Sequence, residues 1–130
     1  MSADTIADFI TSMQNAAIAR RDTFVAPYSK LLHAVADVLI QKGYLRSIEK
    51  RGKKVTKNML VTLAFEQGTP KINGTRRVSK LSRRVYAGAK ATPSVRHGAG
   101  FTVLTTSKGL MSDVDARKAN VGGEPLFQIW

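Results

Sequence analysis

The stretch LTTSKGLMSD, residues 104–113, sets three consecutive hydroxyl side chains, a lysine and a glycine between an apolar run and a serine suited to capping a helix. Phe101 to Thr105 has the composition of a strand, TTSKG that of a tight turn. Ser112 and Asp115 form a variant capping box, S-D-V-D, in which a serine hydroxyl accepts the N–H three residues further on. This spacing predicts a short helix through Ala119, stopped by Asn120, Gly122 and Gly123, and a closing strand from Glu124 to Trp130. Upstream, Arg76–Ser79 and Arg83–Ala87 read as short strands, joined to Phe101 by the loop AGAKATPSVRHGAG. Residues 75–130 are therefore expected to form a strand-rich module with one short helix.

The N-terminal half has a different pattern. Behind a candidate N-cap at Asp4, the residues Ile6, Phe9, Ile10, Met13 and Ala17 follow helical spacing. A short strand, Thr23 to Ala26, ends at Pro27. Ser29 can cap a second helix with the apolar face Leu31, Leu32, Val35, Val38 and Leu39, stopped by Gly43. Tyr44–Arg51 and Lys57–Phe65 pair around the basic turn RGKK. Residues 1–67 thus read as an α-β-α-β-β module, and EQGTPKING, with Gly68, Pro70 and Gly74, marks a boundary at 68–74. The expected class is α+β, in two small modules.

Composition limits what such a chain can do. In 130 residues with 43% hydrophobic content there is enough apolar material for a core. Cysteine is absent, which removes disulfides and thiolate zinc sites. No basic-then-apolar leader opens the chain, and the run AVADVLI is interrupted by Asp37, so a soluble cytoplasmic protein without membrane contact is expected. The formal net charge is +12. From Lys42 to Arg96, fifteen basic residues face only Glu49 and Glu66, whereas elsewhere six basic residues face seven acidic ones. A cationic excess concentrated in this way points to a polyanion, and nucleic acid is the expected partner.

Three chemistries compete for the hydroxyl-rich turn. A phosphate-binding loop requires glycines leading into Gly-Lys-Ser/Thr; here the order is Ser107-Lys108-Gly109, so nucleotide binding is excluded. A catalytic Ser107 would need a base, and the candidates are His33, beside the apolar face of a helix, and His97, in a loop. Asp113 and Asp115 could support metal-assisted cleavage of RNA, but as first-turn acids they also complement the helix dipole. Recognition of nucleic acid fits best: short hydroxyls and exposed N–H groups reach sugar hydroxyls, base edges and phosphates. Tyr86, between Arg83, Arg84 and Lys90, offers a stacking surface, and Glu124 can accept hydrogen bonds from base or sugar donors.

The run LTTSKGLMSDVDARKANVGGEPLFQIW closely resembles the C-terminal signature of the bacterial small-subunit ribosomal protein eight family. The resemblance extends through DTIADFITSMQNA, PYSKLLHAVADVLIQKGYL and RVSKLSRRVY, essentially the whole chain. It departs from the family pattern at Ser12 and Gln14, where arginines are usual, at Leu81 and Ser82, where Pro-Gly is usual, and at Ala87 and His97. The resemblance implies two α/β modules and binding to a helix in the central domain of small-subunit ribosomal RNA. By motif match it assigns RNA contacts to Tyr86, Thr105, Thr106, Ser107, Lys108, Gly109, Gly122, Gly123 and Glu124, with a further region at Ser29 and Lys30. Neighbouring small-subunit proteins are implied partners, and family members can also bind a messenger RNA segment that mimics the ribosomal site. The expected function is that of a non-enzymatic, cofactor-free ribosomal RNA-binding protein; the alternative is a small basic RNA-processing enzyme using Asp113 and Asp115.

Overall fold

Helical spacing in the first segment produces α1, Thr5–Ile18, whose residues Ile6, Phe9, Ile10, Met13, Ala16 and Ala17 are buried. The computed structural model describes residues 5–52, 57–78, 86, 88 and 100–130; the candidate cap Asp4 lies outside them. The chain divides into two units, Thr5–Asn73 and Gly74–Trp130 among these residues.

In the first unit, β1 (Thr23–Pro27) leads to α2 (Lys30–Gln41), then to β2 (Leu45–Gly52) and β3 (Lys57–Leu63). Ser29 caps α2, its hydroxyl accepting the Leu32 N–H at 3.1 Å. The buried face of α2 is Leu32, Val35, Ala36, Val38 and Leu39. Leu31, expected on that face, is 39% exposed: it sits one residue round the helix from Leu32, and the narrower stripe suffices. Gly43 follows the helix with φ +85, a conformation that glycine adopts without steric cost.

The three strands form an antiparallel sheet in the order β1-β3-β2. Phe24 and Ala26 alternate with less buried neighbours, and Met59, Val61 and Leu63 do the same along β3, so one face is buried. Phe9 of α1 meets Phe24 edge-on, with ring centroids 5.5 Å apart. The segment expected as a boundary holds a small hairpin, β4 (Phe65–Glu66) and β5 (Thr69–Pro70). Gln67 and Gly68, both at positive φ, make the two-residue turn, and Arg20 ties it down by donating to the Gly68 carbonyl at 3.2 Å.

The second unit is a four-stranded antiparallel sheet, β6-β9-β7-β8, with one helix. Its elements are β6 (Thr75–Arg77), β7 (Phe101–Thr106), β8 (Gly109–Ser112), α3 (Asp113–Ala119) and β9 (Gly123–Ile129). Val103, Leu104, Ala116, Leu126, Phe127 and Ile129 supply its core. Asn120 caps α3 in the left-handed conformation, φ 55 and ψ 46. Gly74 and Trp130 exchange backbone hydrogen bonds at 3.1 Å, and the indole lies on Gly74 so closely that a Cβ there would come within 2.8 Å of the ring. The expected strand Arg83–Ala87 falls, apart from Tyr86, outside the described residues.

Two features of this unit carry no signal in the local sequence. Leu110 to Ser112, to which the sequence assigns no strand, continue from Gly109 as strand β8: Leu110, opposite Thr105, and Ser112, opposite Val103, complete the β7 ladder. Asp113 is a first-turn acid of α3, as expected, but it is only 2% exposed. It reaches back across the sheet because β8 runs directly into the helix.

Candidate nucleic-acid interface

The hairpin β7–β8 closes with Thr106 opposite Gly109, leaving Ser107 and Lys108 at the tip. Neither tip residue has positive φ; Gly109 carries it, at +107, as in a turn followed by a glycine bulge. An added Cβ at Gly109 would meet nothing within 4 Å, so the requirement for glycine is conformational. The Thr106 hydroxyl holds the turn from within, donating to the Gly109 carbonyl at 2.8 Å and accepting the Lys108 N–H at 3.1 Å. Ser107, Lys108 and Gly109 are exposed, while Thr105 and Thr106 are half-buried at the base.

Strand β9 brings the second group of residues to the same place. Glu124 pairs with Thr105 and Gly123 with Thr106, which puts Gly122 to Glu124 directly beside the hairpin. Gly123 is held there by contact: a Cβ would collide with the Thr105 carbonyl and lie 2.9 Å from Thr106 Cγ2. The left-handed cap at Asn120 and the Val121 N–H bond to Ala116 at 3.0 Å turn the chain out of α3 toward this position. Eight of the residues assigned from the sequence, Thr105 to Gly109 and Gly122 to Glu124, therefore meet at one end of one sheet. The result is an exposed ammonium and serine hydroxyl at the tip, with a carboxylate of Glu124 opposite Thr105 at the base.

Tyr86 is 78% exposed, which suits a stacking surface, but its neighbours in the chain lie outside the described residues. Ser29 and Lys30 belong to the first unit. Ser29 uses its hydroxyl as the α2 cap, and Lys30 is exposed in the first turn, where a cation opposes the helix dipole. Beside them are residues that sequence reasoning missed. Lys50 Nζ stands 4.5 Å from the centroid of the Tyr28 ring, and Tyr28 meets His33 edge-on at 5.8 Å. Tyr28 also donates its N–H to the Lys57 carbonyl at 3.0 Å. Tyr28 and Lys50 are far apart in the chain, and only pairing of β2 and β1 with β3 brings them together.

Of the two acids of the enzymatic alternative, Asp113 has its carboxylate committed to the fold. One Asp113 oxygen accepts the Thr102 N–H at 3.1 Å and the other pairs with Arg117 at 3.0 Å. Asp115 gives its N–H to the Ser112 cap at 3.2 Å. No group of three or more His, Asp or Glu side chains able to hold a metal occurs among the described residues. His33 is partly exposed and pairs with Asp37 at 3.4 Å, one turn along α2. His97 lies outside the described residues. No helix among those described is long and apolar enough to cross a membrane.

Comparison with known proteins gives a consistent result. The family model described as ribosomal protein S8 matches residues 4–130. The small ribosomal subunit protein uS8 of Cereibacter sphaeroides is 44% identical, with 98% of this chain and 97% of the relative aligned. The proteins of the same name from Novosphingobium aromaticivorans and Trichormus variabilis are 39% and 38% identical, at the same coverage of both chains.

Proposed function

We propose, on the premise that this chain belongs to the ribosomal protein S8 family, that it binds a helix in the central domain of small-subunit ribosomal RNA and helps that region fold. Its coarser role, a structural component of the small ribosomal subunit, follows from the family. The observation that carries the finer reading is the meeting of the β7–β8 tip with the start of β9. There Ser107, Lys108 and the backbone of Gly109 are exposed beside Gly122 and Glu124.

This arrangement suits an irregular RNA feature. A serine hydroxyl can donate or accept, the Gly109 backbone is approachable because no side chain covers it, and Lys108 neutralises a phosphate. The carboxylate of Glu124 repels phosphates and therefore favours a docking pose that offers base or sugar donors. Phosphate contacts from the basic middle of the chain supply general affinity, while the hydroxyl and carboxylate groups supply preference. Lys30, together with Lys50 and Tyr28, gives the first unit a cationic edge of its own.

The test is a pair of titrations at one salt concentration, with the central-domain helix and with an unrelated duplex of equal length. Ser107→Ala combined with Glu124→Gln should lower affinity for the first by roughly tenfold or more and leave the second almost unchanged. Equal loss on both RNAs would reduce the hairpin to a phosphate clamp; no loss on either would remove it from the interface.

A further inference from the structure

The geometry points to the free edge of β1, with the groove between that strand and α1, as a docking site for an extended segment of a partner protein. Strand β1 has β3 on one side and, among the described strands, nothing on the other. The bonds from Leu63 N–H to the Asp22 carbonyl and from Tyr28 N–H to the Lys57 carbonyl fix the phase of the ladder. Residues of the same parity, Phe24 and Ala26, turn their backbone groups toward β3. Thr23 and Val25 therefore direct their N–H and C=O groups outward, where a further strand would bond them.

The two edges of this sheet differ. The outer edge, β2, carries Glu49, Lys50 and Arg51, charges that discourage pairing with another strand. The sequence of β1, TFVAP, contains no charge, and Val25 is 60% exposed. Only Pro27, which lacks an N–H, limits the edge. An uncharged, open, extended edge is the feature used when a peptide adds a strand to a sheet.

The groove beside it is a built feature with two distinct ends. Toward the N-terminus of α1, Phe9, Ala26, Pro27 and Leu32 line a small, mainly apolar pocket of about 50 Å³, with Thr5, Asp8 and Ser12 at its polar side. Toward the other end, Asn15, Thr23 and Val25 line an open channel together with Arg21. Ile18, 74% exposed, follows Asn15 by one turn. Arg21 makes no ion pair among the described residues. The matching occupant is an extended segment about five or six residues long, at 3.2–3.4 Å per residue, with an apolar side chain for the pocket and an acidic one for Arg21. RNA is disfavoured because the walls present a single cation, Arg21, and one carboxylate, Asp8.

The inference rests on the small-subunit reading only in placing the partner inside that particle. The full-length chain carrying Asn15→p-benzoylphenylalanine would be assembled into small subunits and irradiated, and the linked fragment identified. The expected product is a protein adduct within an apolar, acid-containing segment. Val25→Pro removes an outward N–H while sparing the bonds to β3, as edge positions allow, and should lower the adduct by about tenfold. Val25→Thr keeps the N–H and should change it less than about twofold. Arg21→Glu, an exposed change that leaves the strand intact, should also lower it severalfold, which covers the case of a destabilised proline variant. An adduct to RNA, an adduct to a second copy of this chain, or a yield unaffected by both Val25→Pro and Arg21→Glu overturns the proposal. Particles that contain the chain but give no adduct overturn it while leaving RNA binding intact, and a chain that does not enter the particle overturns both readings.

Discussion

Gly123 lies against the carbonyl of Thr105, so that β9 approaches β7 too closely for any side chain between them. Gly123→Ala should force the two strands apart at the position where Glu124 and the hairpin meet. The expected cost is about 1–3 kcal/mol in a urea or thermal melt. The amides of Thr105 and Thr106 should shift in the NMR spectrum, and affinity for the cognate RNA should fall even at temperatures where the variant remains folded.

Thr106 and Ser107 should behave differently although they are adjacent hydroxyl residues. The Thr106 hydroxyl makes two bonds inside the turn. Thr106→Val keeps its shape, and should cost roughly 1 kcal/mol of stability per bond and speed amide exchange at Lys108. Ser107→Ala should leave the melt unchanged and weaken only the cognate RNA. The comparison separates a residue that shapes the loop from one that presents it.

How much of this was legible in the sequence depends on the range of the signal. Helices α1 and α2 follow from apolar spacing, and Ser29 and Ser112 follow from capping patterns, because each is a local property. Strand β8 was hidden because Gly109-Leu110-Met111-Ser112 has little alternation of its own; it exists through pairing with β7. The β4–β5 hairpin is not legible because Gly68 and Pro70 suit a tight turn and a module boundary alike. Residues 105–109 and 122–124 were identified from a family signature, but their meeting point comes from the β7–β9 register. The buried state of Asp113 and the Tyr28–Lys50 contact arise only once distant segments pack.

Asp113 should prove structural. Asp113→Asn loses the ionised partner of Arg117 and weakens the bond to Thr102 N–H. A destabilisation of about 1.5–3 kcal/mol is expected, less than for a wholly buried pair because Arg117 is one-third exposed. RNA binding at a permissive temperature should persist. Magnesium-dependent RNA cleavage by the pure wild type that disappears in this variant would contradict the assignment.

Salt dependence should distinguish charge from shape. Lys108→Ala removes one exposed cation at the tip and should flatten the slope of log affinity against log salt by about one unit or less. Ser107→Ala should leave that slope unchanged. A Lys108→Ala slope equal to that of the wild type would mean that the ammonium does not meet a phosphate.

Alkaline stability should report Tyr44. Burial raises its pKa above the ordinary value of 10.0. The folded chain thus keeps Tyr44 neutral at pH values where the unfolded chain ionises it. Its contribution is fully present below pH 10.0 and declines as the pH climbs past that value through the raised pKa. Tyr44→Phe should make the melting temperature less sensitive to pH above that point.

The packing of Trp130 on Gly74 gives the molecule a built-in optical label. This is the sole tryptophan, and its indole rests on the first residue of the second unit while its backbone closes the β6–β9 end of the sheet. Fluorescence emission thus follows loss of that end of the sheet, whereas the helical signal in far-ultraviolet circular dichroism comes chiefly from α1 and α2. Recording both during one denaturation tests whether the two units unfold together, without adding a dye or altering a residue.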